Sequence, residues 1–289
     1  MTVVTTVSLR HLSGELIRQF AKELPTLQGT SVPRDSRAAV PKRQKRSIFV
    51  GFLRKDIYTS KDAAAWRYIL KEMIANVQTE TPKEMLDFLL PKDSPLLRKW
   101  MDKAVADGRP KSTASVGKTA ADLEWQLHSA QLRETLGISV SSKIWTGKSS
   151  FKGWGLSLTD RVQDALDVTA ANILSRKVKN TSAHLLNTVI DVSQSITRGT
   201  CTKQSGVHPC FTTSSELYSY REDRLILAIE MLAILGYPRE MIIPEDFTNR
   251  QLKRLVGNTI SLPCLGMMFW SFQVMRRRAF EAPAEMGGN

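Results

Sequence analysis

The longest apolar stretch of the chain, residues 260–275, sets the first limit on what it can fold into. Ser261, Pro263, Ser271 and Gln273 interrupt it, and it falls short of the roughly 20 apolar residues that a membrane-crossing helix needs. It reads as a buried helix, and no membrane partner is expected. Such a helix needs a core to bury it. The 289 residues, 42% hydrophobic and 24% charged, supply enough apolar material for one large domain or two small ones.

Apolar spacing divides the rest of the chain. Ser13 is a candidate N-cap for a helix that carries Leu16, Ile17, Phe20 and Leu24 on one face and stops at Pro25. Ser47-Ile48-Phe49-Val50-Gly51-Phe52-Leu53 is apolar, partly β-branched and aromatic, and predicts a buried strand. Trp66, Ile69, Leu70, Met73, Ile74 and Val77 recur at helical spacing. Thr81-Pro82-Lys83-Glu84 has the form of a capping box before Met85, Leu86, Leu89 and Leu90, and Ser94-Pro95 opens a further helix. Residues 107–118 read as a loop, 119–136 as a helix stopped by Gly137, and 160–179 as another helix.

Lys and Arg outnumber Asp and Glu by 41 to 28, a formal charge of +13 that favours nucleic acid, an anionic membrane or an acidic protein as partner. Basic residues cluster with aromatics at Lys143, Trp145, Lys148, Phe151, Lys152 and Trp154, and again without them at Arg176, Lys177 and Lys179. The first group has two readings: aromatics stacking on bases beside phosphate-binding lysines, or aromatics tucked under a loop with solvated lysines. Three cysteines, Cys201, Cys210 and Cys264, make no disulfide framework and suit a reducing compartment. Cys201, His208 and Cys210 lack the paired spacing of a zinc site. No signal peptide opens the chain, so an intracellular location is expected.

Three separated segments carry a resemblance. The first is Val40-Pro41-Lys42-Arg43-Gln44-Lys45-Arg46 running into the strand and on to Arg54-Lys55-Asp56. The second is Asp191-Val192-Ser193-Gln194-Ser195, then Arg198, then His208-Pro209-Cys210-Phe211-Thr212-Thr213-Ser214-Ser215. The third joins Asp223-Arg224-Leu225, Glu230, Leu235-Gly236-Tyr237-Pro238, and Gln251 followed by Gly257-Asn258-Thr259-Ile260. In this order they resemble the late motifs of cytosine-5 DNA methyltransferases. Asp87-Phe88-Leu89-Leu90-Pro91-Lys92-Asp93 is a looser echo of the same family.

The resemblance implies a Rossmann-like, S-adenosyl-L-methionine-dependent α/β fold, of which this chain holds late strands, a large helical insertion and the target-recognition region. It implies segments 1–56 (end of the catalytic core), 57–180 (insertion and recognition) and 181–289 (late motifs and C-terminal helix). Arg46 matches a family arginine that positions the target base and its phosphate, whereas Gln44 stands where a first arginine is expected and lacks its charged fork. Asn258 and Thr259 are implied as cofactor contacts, with Gly257 allowing a close backbone approach and the pair placed at a helix N-terminus. Thr212 and Thr213 are implied in a strand supporting DNA recognition, with Lys143, Lys148, Lys152, Arg176, Lys177 and Lys179 as DNA contacts.

The early motifs of the family are not found: neither the Gly-rich cofactor loop, nor the Pro-Cys-Gln nucleophile, nor the Glu-Asn-Val acid. The resemblance places them before residue 1. Pro209-Cys210 and Pro263-Cys264 come too late in the order to be the nucleophile, and a reactive thiol needs surroundings that lower its pKa. The chain is therefore expected to bind double-stranded DNA, to work with a missing N-terminal half or an active homologue, and to transfer no methyl group by itself. Two alternatives stand beside this. One is a catalytically inactive DNA-binding or regulatory relative that partners an active methyltransferase, and the other an unrelated basic helical protein, with RNA as its possible ligand. The basic run at residues 42–46 also has the form of a nuclear-import signal, which points to the nucleus in a eukaryote.

Overall fold

The computed structural model describes residues 27–35, 46–54, 59–78, 84–107, 120–149, 158–176, 180–198, 201–202, 208 and 210–281. Strands β1 (Leu27–Asp35) and β2 (Arg46–Arg54) precede helix α1 (Ser60–Gln78), a 3-10 turn at Met85–Phe88, α2 (Pro95–Ala106) and α3 (Ala120–Thr135). Next come α4 (Asp160–Leu174), α5 (Thr181–Leu186), β3 (Val189–Asp191) and a 3-10 turn at Ile196–Arg198. Strands β4 (Leu217–Ser219) and β5 (Arg224–Leu225) lead to α6 (Ala228–Ile234), α7 (Asn249–Asn258) and α8 (Leu262–Glu281). The chain is thus of mixed α/β class, with β1–β2 and β3–β4–β5 as its described sheets, both antiparallel. Among the described residues no single helix is long and apolar enough to cross a membrane.

Packing divides the chain into two units, one of Met1–Lys83 with Ile260–Asn289 and one of Glu84–Thr259. Motif content suggested cuts near 56 and 180, whereas compactness cuts the chain elsewhere.

In the first unit β1 and β2 pair from Leu27 opposite Arg54 to Asp35 opposite Arg46. Pro33 sits opposite Ile48 in this ribbon, and among the described residues neither strand pairs on its other side, so a missing N–H is tolerated there. The strand expected at 47–53 is β2. Helix α1, also as expected, packs Trp66, Ile69 and Leu70 against Cys264, Met267, Met268, Phe272 and Met275 of α8. Trp66 is buried whole, so its indole N–H needs a partner, and it donates to Ser271 Oγ at 3.0 Å. Ser271 Oγ in turn donates to the Met268 carbonyl at 2.9 Å, and Phe272 meets the indole edge-on at 5.5 Å. The serine that broke the apolar run is therefore the polar anchor of this core. Of the apolar side chains on α8, Phe269 and Trp270 are 43% and 64% exposed, while Met267, Met268 and Phe272 are buried.

In the second unit the sheet β3–β4–β5 lies between two cores, and residue alternation explains how. Val189 and Leu217 join one cluster with Met85, Trp100, Phe211, α6 and α7. Their neighbours Ile190 and Tyr218 face the other, with Val162, Leu166, Ala170 and Ile173 of α4. A period of two along each strand sends successive side chains to opposite faces. Helix α6 is apolar apart from Glu230 and buried throughout, as its place inside the first cluster requires.

Several helix boundaries follow the expected chemistry. Ser94 caps α2 with Pro95 in its first turn. Gly137 ends α3 with φ +67°, and Gly236 ends α6 with φ +85°. At Gly236, the N–H groups of Gly236 and Tyr237 donate to the carbonyls of Ala233 and Leu232, so Leu235-Gly236-Tyr237-Pro238 is a left-handed helix stop. The helix expected after Thr81 is a single 3-10 turn, and the reciprocal cap is made by Glu84 and Asp87. The helix expected to reach Lys179 stops at Leu174. The helix expected near Ser13, the loop at 108–118, and the side chains of residues 27–54 lie outside what is described.

A buried ion pair ties these pieces together. Arg224 Nη1 and Nη2 donate to Glu230 Oε2 and Oε1, both at 2.7 Å, with side chains 2% and 0% exposed. Glu230 also accepts from the backbone N–H groups of Leu90 at 2.8 Å and Leu227 at 2.9 Å. Removing one partner strands the other charge in the core, so Glu230→Ala should cost about 3–5 kcal/mol of stability. Urea unfolding measures this, and a loss no larger than that of a surface substitution would show that the pair is not holding the unit together.

Candidate functional site

Three of the four stretches that carry the resemblance, all but the one at residues 40–56, meet within the second unit. Leu90, from the Asp87–Asp93 echo, gives its N–H to Glu230 and its carbonyl accepts from Arg224 at 3.5 Å. Arg239, next to the Gly236-Tyr237-Pro238 stop, donates to the Leu89 carbonyl at 3.4 Å. Tyr237 Oη and Thr259 Oγ1 are 3.1 Å apart. Asn249, the first residue of α7, caps α6 by accepting from the Ala228 N–H at 3.1 Å.

Gly257 is the tightest of these junctions. A Cβ at this position would overlap the backbone of Thr212 and Thr213. Only a residue without a side chain lets α7 lie against that segment, and the close approach expected from the sequence is found here. The Thr212–Thr213 segment is held in shape by its own neighbours: the Thr212 N–H donates to Ser215 Oγ at 2.7 Å, and Thr212 Oγ1 lies 3.0 Å from the same oxygen. Lys253 of α7 reaches Glu216 at 3.5 Å.

Two local expectations are corrected. Thr212 and Thr213 belong to a turn between β3 and β4, not to a strand, because Ser215 satisfies the Thr212 N–H that a ladder would need. Asn258 and Thr259 stand at a helix C-terminus, as the last residue and the C-cap of α7. That end exposes carbonyl oxygens and carries partial negative charge, the reverse of the donor-rich end expected. Asn258 is exposed and Thr259 half-buried. Gln251, matched to the family's glutamine, serves in the capping box of α7: its Oε1 accepts from the Thr248 N–H, and Thr248 Oγ1 accepts from the Gln251 N–H.

The basic loop has a fixed scaffold beneath it. Asp167, buried on α4, accepts from the N–H groups of Trp145 at 2.7 Å and Thr146 at 2.9 Å, and from the Thr146 hydroxyl. Trp145 donates its indole N–H to Tyr218 Oη at 2.9 Å and meets Tyr220 edge-on at 5.0 Å. Tyr218 donates to Asp223, which also accepts from Ser149 at 2.5 Å. Trp145 is thus committed to the core, and the reading of a tucked aromatic with solvated lysines holds for it. Lys143 and Lys148 project from this pinned loop and are exposed.

Arg176 is exposed past the end of α4 and close enough to His184 to help burial push the imidazole pKa down. Lys152, Lys177 and Lys179 lie outside the described residues. Arg46 begins β2 in the other unit, its backbone paired with Asp35. Cys264 is fully buried in the α1–α8 core, and burial raises the thiol pKa of Cys201. Among the described residues no group of three His, Cys, Asp or Glu side chains is placed to hold a metal ion.

Sequence reading missed two features. Asp167 interrupts the apolar face formed by Val162, Leu166, Ala170 and Ile173, and a lone carboxylate at a core position signals bonded partners. A cleft of about 350 Å³ also opens between α3, α4 and the second 3-10 turn, lined by residues including Trp125, His128 and Asp164. No family model and no curated protein matches this chain.

Two predictions follow from these contacts. Gly257→Ala must displace either α7 or the Thr212–Thr213 turn, so it should destabilise the protein by about 1–3 kcal/mol, as overpacking does. A thermal melt tests it, and an unchanged midpoint would mean that the turn yields freely. Burial first, and donation to Asp223 second, raise the Tyr218 phenol pKa above its ordinary value of 10.0. A raised folded-state pKa gives stability that is present below the unfolded value and is lost as pH rises through the folded one. Stability should therefore decline in alkali above that ordinary phenol value, and Tyr218→Phe should shrink the decline. Equal alkaline slopes for the two proteins would exclude Tyr218 as its source.

Proposed function

We propose that this chain is the DNA-facing and cofactor-closing portion of an intracellular cytosine-5 DNA methyltransferase, nuclear where the source is a eukaryote, whose late strands belong to a Rossmann-like sheet. The convergence of its motif-like segments carries the reading. Leu90, Arg224, Glu230, Tyr237 and Thr259, with Gly257 against Thr212 and Thr213, come from separate stretches of sequence and pack into one cluster. Segments matched by chance have no reason to share buried bonds.

The residues near Thr259 suit S-adenosyl-L-methionine, which when bound supplies an electrophilic methyl group. Asn258 offers a carboxamide, Thr259 and Tyr237 offer hydroxyls, and the carbonyl end of α7 favours positive charge such as the sulfonium and ammonium of that cofactor. The roles proposed for this chain are binding and positioning. Arg46 holds the target base and its phosphate. Lys143, Lys148, Lys152, Arg176, Lys177 and Lys179 neutralise the DNA backbone, and the Thr212–Thr213 turn braces the cofactor-closing helix from the DNA side. The nucleophile comes from a partner segment or subunit: Cys264 is sealed in a core, burial pushes the Cys201 thiol pKa up, and Cys210 comes too late in the motif order.

Gln44 in place of an arginine favours a second reading, a catalytically inactive relative that binds DNA beside an active enzyme. The chain alone should transfer no labelled methyl group to DNA under either reading. Activity regained when an early-motif methyltransferase segment is added supports the first reading, and stimulation only of an already complete enzyme supports the second.

Binding to duplex DNA should weaken steeply with salt, with a slope of about −0.9 for each phosphate neutralised. Lys143→Glu and Lys148→Glu should lower affinity for all sequences about equally, since phosphate contacts carry no base information. Arg46→Ala should weaken binding to a mismatched cytosine more than to a fully paired duplex. Fluorescence anisotropy across a salt series checks all three, and absence of binding at low salt would end both readings.

A further inference from the structure

The cleft between α3, α4 and the second 3-10 turn has a composition that the proposed function leaves unused. Its volume of about 350 Å³ falls in the range of small-molecule sites. Trp125 and His128 of α3 line one side, Ala165 of α4 and Ile196 add apolar surface, and Glu124 stands exposed at the edge. Asp164 contributes a carboxylate whose side chain is only 17% exposed.

The walls are fixed before any ligand arrives. Arg133, itself 3% exposed, donates Nε and Nη2 to Asp164 Oδ1 at 2.9 and 2.8 Å and Nη1 to the carbonyls of Ser139 and Ser142. Arg161 spans to the carbonyls of Val192 at 2.9 Å and Gln194 at 3.4 Å, and Arg198 holds the Gln194 side chain at 2.9 Å. A site already ordered loses little conformational entropy on binding.

Charge then selects among ligands. Arg133 neutralises Asp164, and the lining holds one further cation, Arg161, for the one further anion, Glu124, so the cleft has no net negative charge to draw a cation. Its polar lining mixes acceptors with groups that also donate: Asp164 Oδ1 is spent on Arg133, which leaves Oδ2, Glu124 adds a second carboxylate, and Gln194 and Ser195 carry an amide and a hydroxyl. His128 offers one donor and one acceptor when neutral. An uncharged planar ring bearing an amino group beside ring acceptors satisfies this mixture, stacking on the indole, donating to the carboxylates and accepting from the amide or hydroxyl, at less desolvation cost than a free ammonium.

The geometry points to a nucleobase site in this cleft, for adenine, guanine or cytosine, occupied by a free nucleoside or by an unstacked base of a DNA strand. The second source rests on the DNA-binding reading above; the first does not. In the full chain labelled at histidine Cε1, with His128 assigned by His128→Gln, the nucleosides deoxycytidine, deoxyadenosine and deoxyguanosine should shift the His128 signal. Thymidine, which lacks the amino group, should bind several-fold more weakly. Trp125→Ala should weaken binding about tenfold or more through lost stacking. Glu124→Ala, at an exposed position that leaves the fold intact, should weaken it less but measurably.

Duplexes with and without a bulged cytosine separate the two sources. A preference for the bulged duplex that Glu124→Ala reduces assigns the site to an unstacked strand base, and nucleoside binding without that preference assigns it to the free nucleoside. Salt-dependent duplex binding together with no His128 shift for any nucleoside, and no Glu124→Ala effect on the bulged duplex, would overturn the site while sparing the DNA reading. Nucleoside binding without any duplex binding would do the opposite.

Discussion

The fold of the second unit hangs on the Arg224–Glu230 pair. Two charges buried almost completely are tolerable only when every polar atom finds a partner, and Glu230 reaches that state by accepting from Arg224 twice and from the N–H groups of Leu90 and Leu227. These bonds recruit the segment just after the first 3-10 turn, the start of β5 and the start of α6. The carboxylate thus fixes where the apolar helix α6 begins, and α6 in turn forms the centre of the larger core. An apolar substitute of similar shape would remove the desolvation cost, yet it would leave two backbone N–H groups without acceptors.

A comparable polar node sits on the other face of the sheet. Asp167, Trp145, Tyr218 and Asp223 join a loop, a helix and a strand by bonds that no apolar contact could direct. Asp223 adopts a left-handed backbone with φ 51°, a conformation that aspartate tolerates better than most residues. The consequence for Lys143 and Lys148 is geometric. A lysine on a pinned loop offers its charge from a fixed base, so less backbone order has to be imposed when an anionic ligand binds.

Much of this was legible from residue spacing alone. The 3.6-residue recurrence of Trp66, Ile69, Leu70 and Met73 gave α1, and proline and glycine punctuation gave the start of α2 and the end of α3. Helical or strand periodicity reports which face is buried, and burial is mostly local. What spacing does not carry is which distant polar groups meet. Nothing near Asp167 in the sequence indicates that Trp145 and Thr146 will give it three hydrogen bonds, and nothing near Arg133 indicates Asp164. The cleft beside Asp164 was invisible for the same reason, since its walls come from three segments of the chain.

The ends of α7 show how a motif and its physical explanation can part company. Gly257 was expected to permit a close backbone approach, and it does, because the Thr212–Thr213 turn occupies the space of its missing side chain. Asn258 and Thr259 were expected to present donors at a helix N-terminus, and they stand instead at the carbonyl end. The field around these residues is therefore that of a carbonyl end, which favours positive charge and not negative. Spacing in a sequence identifies residues that belong together, but the sign of the field around them depends on which end of the helix they occupy, and one turn of helix is enough to reverse it.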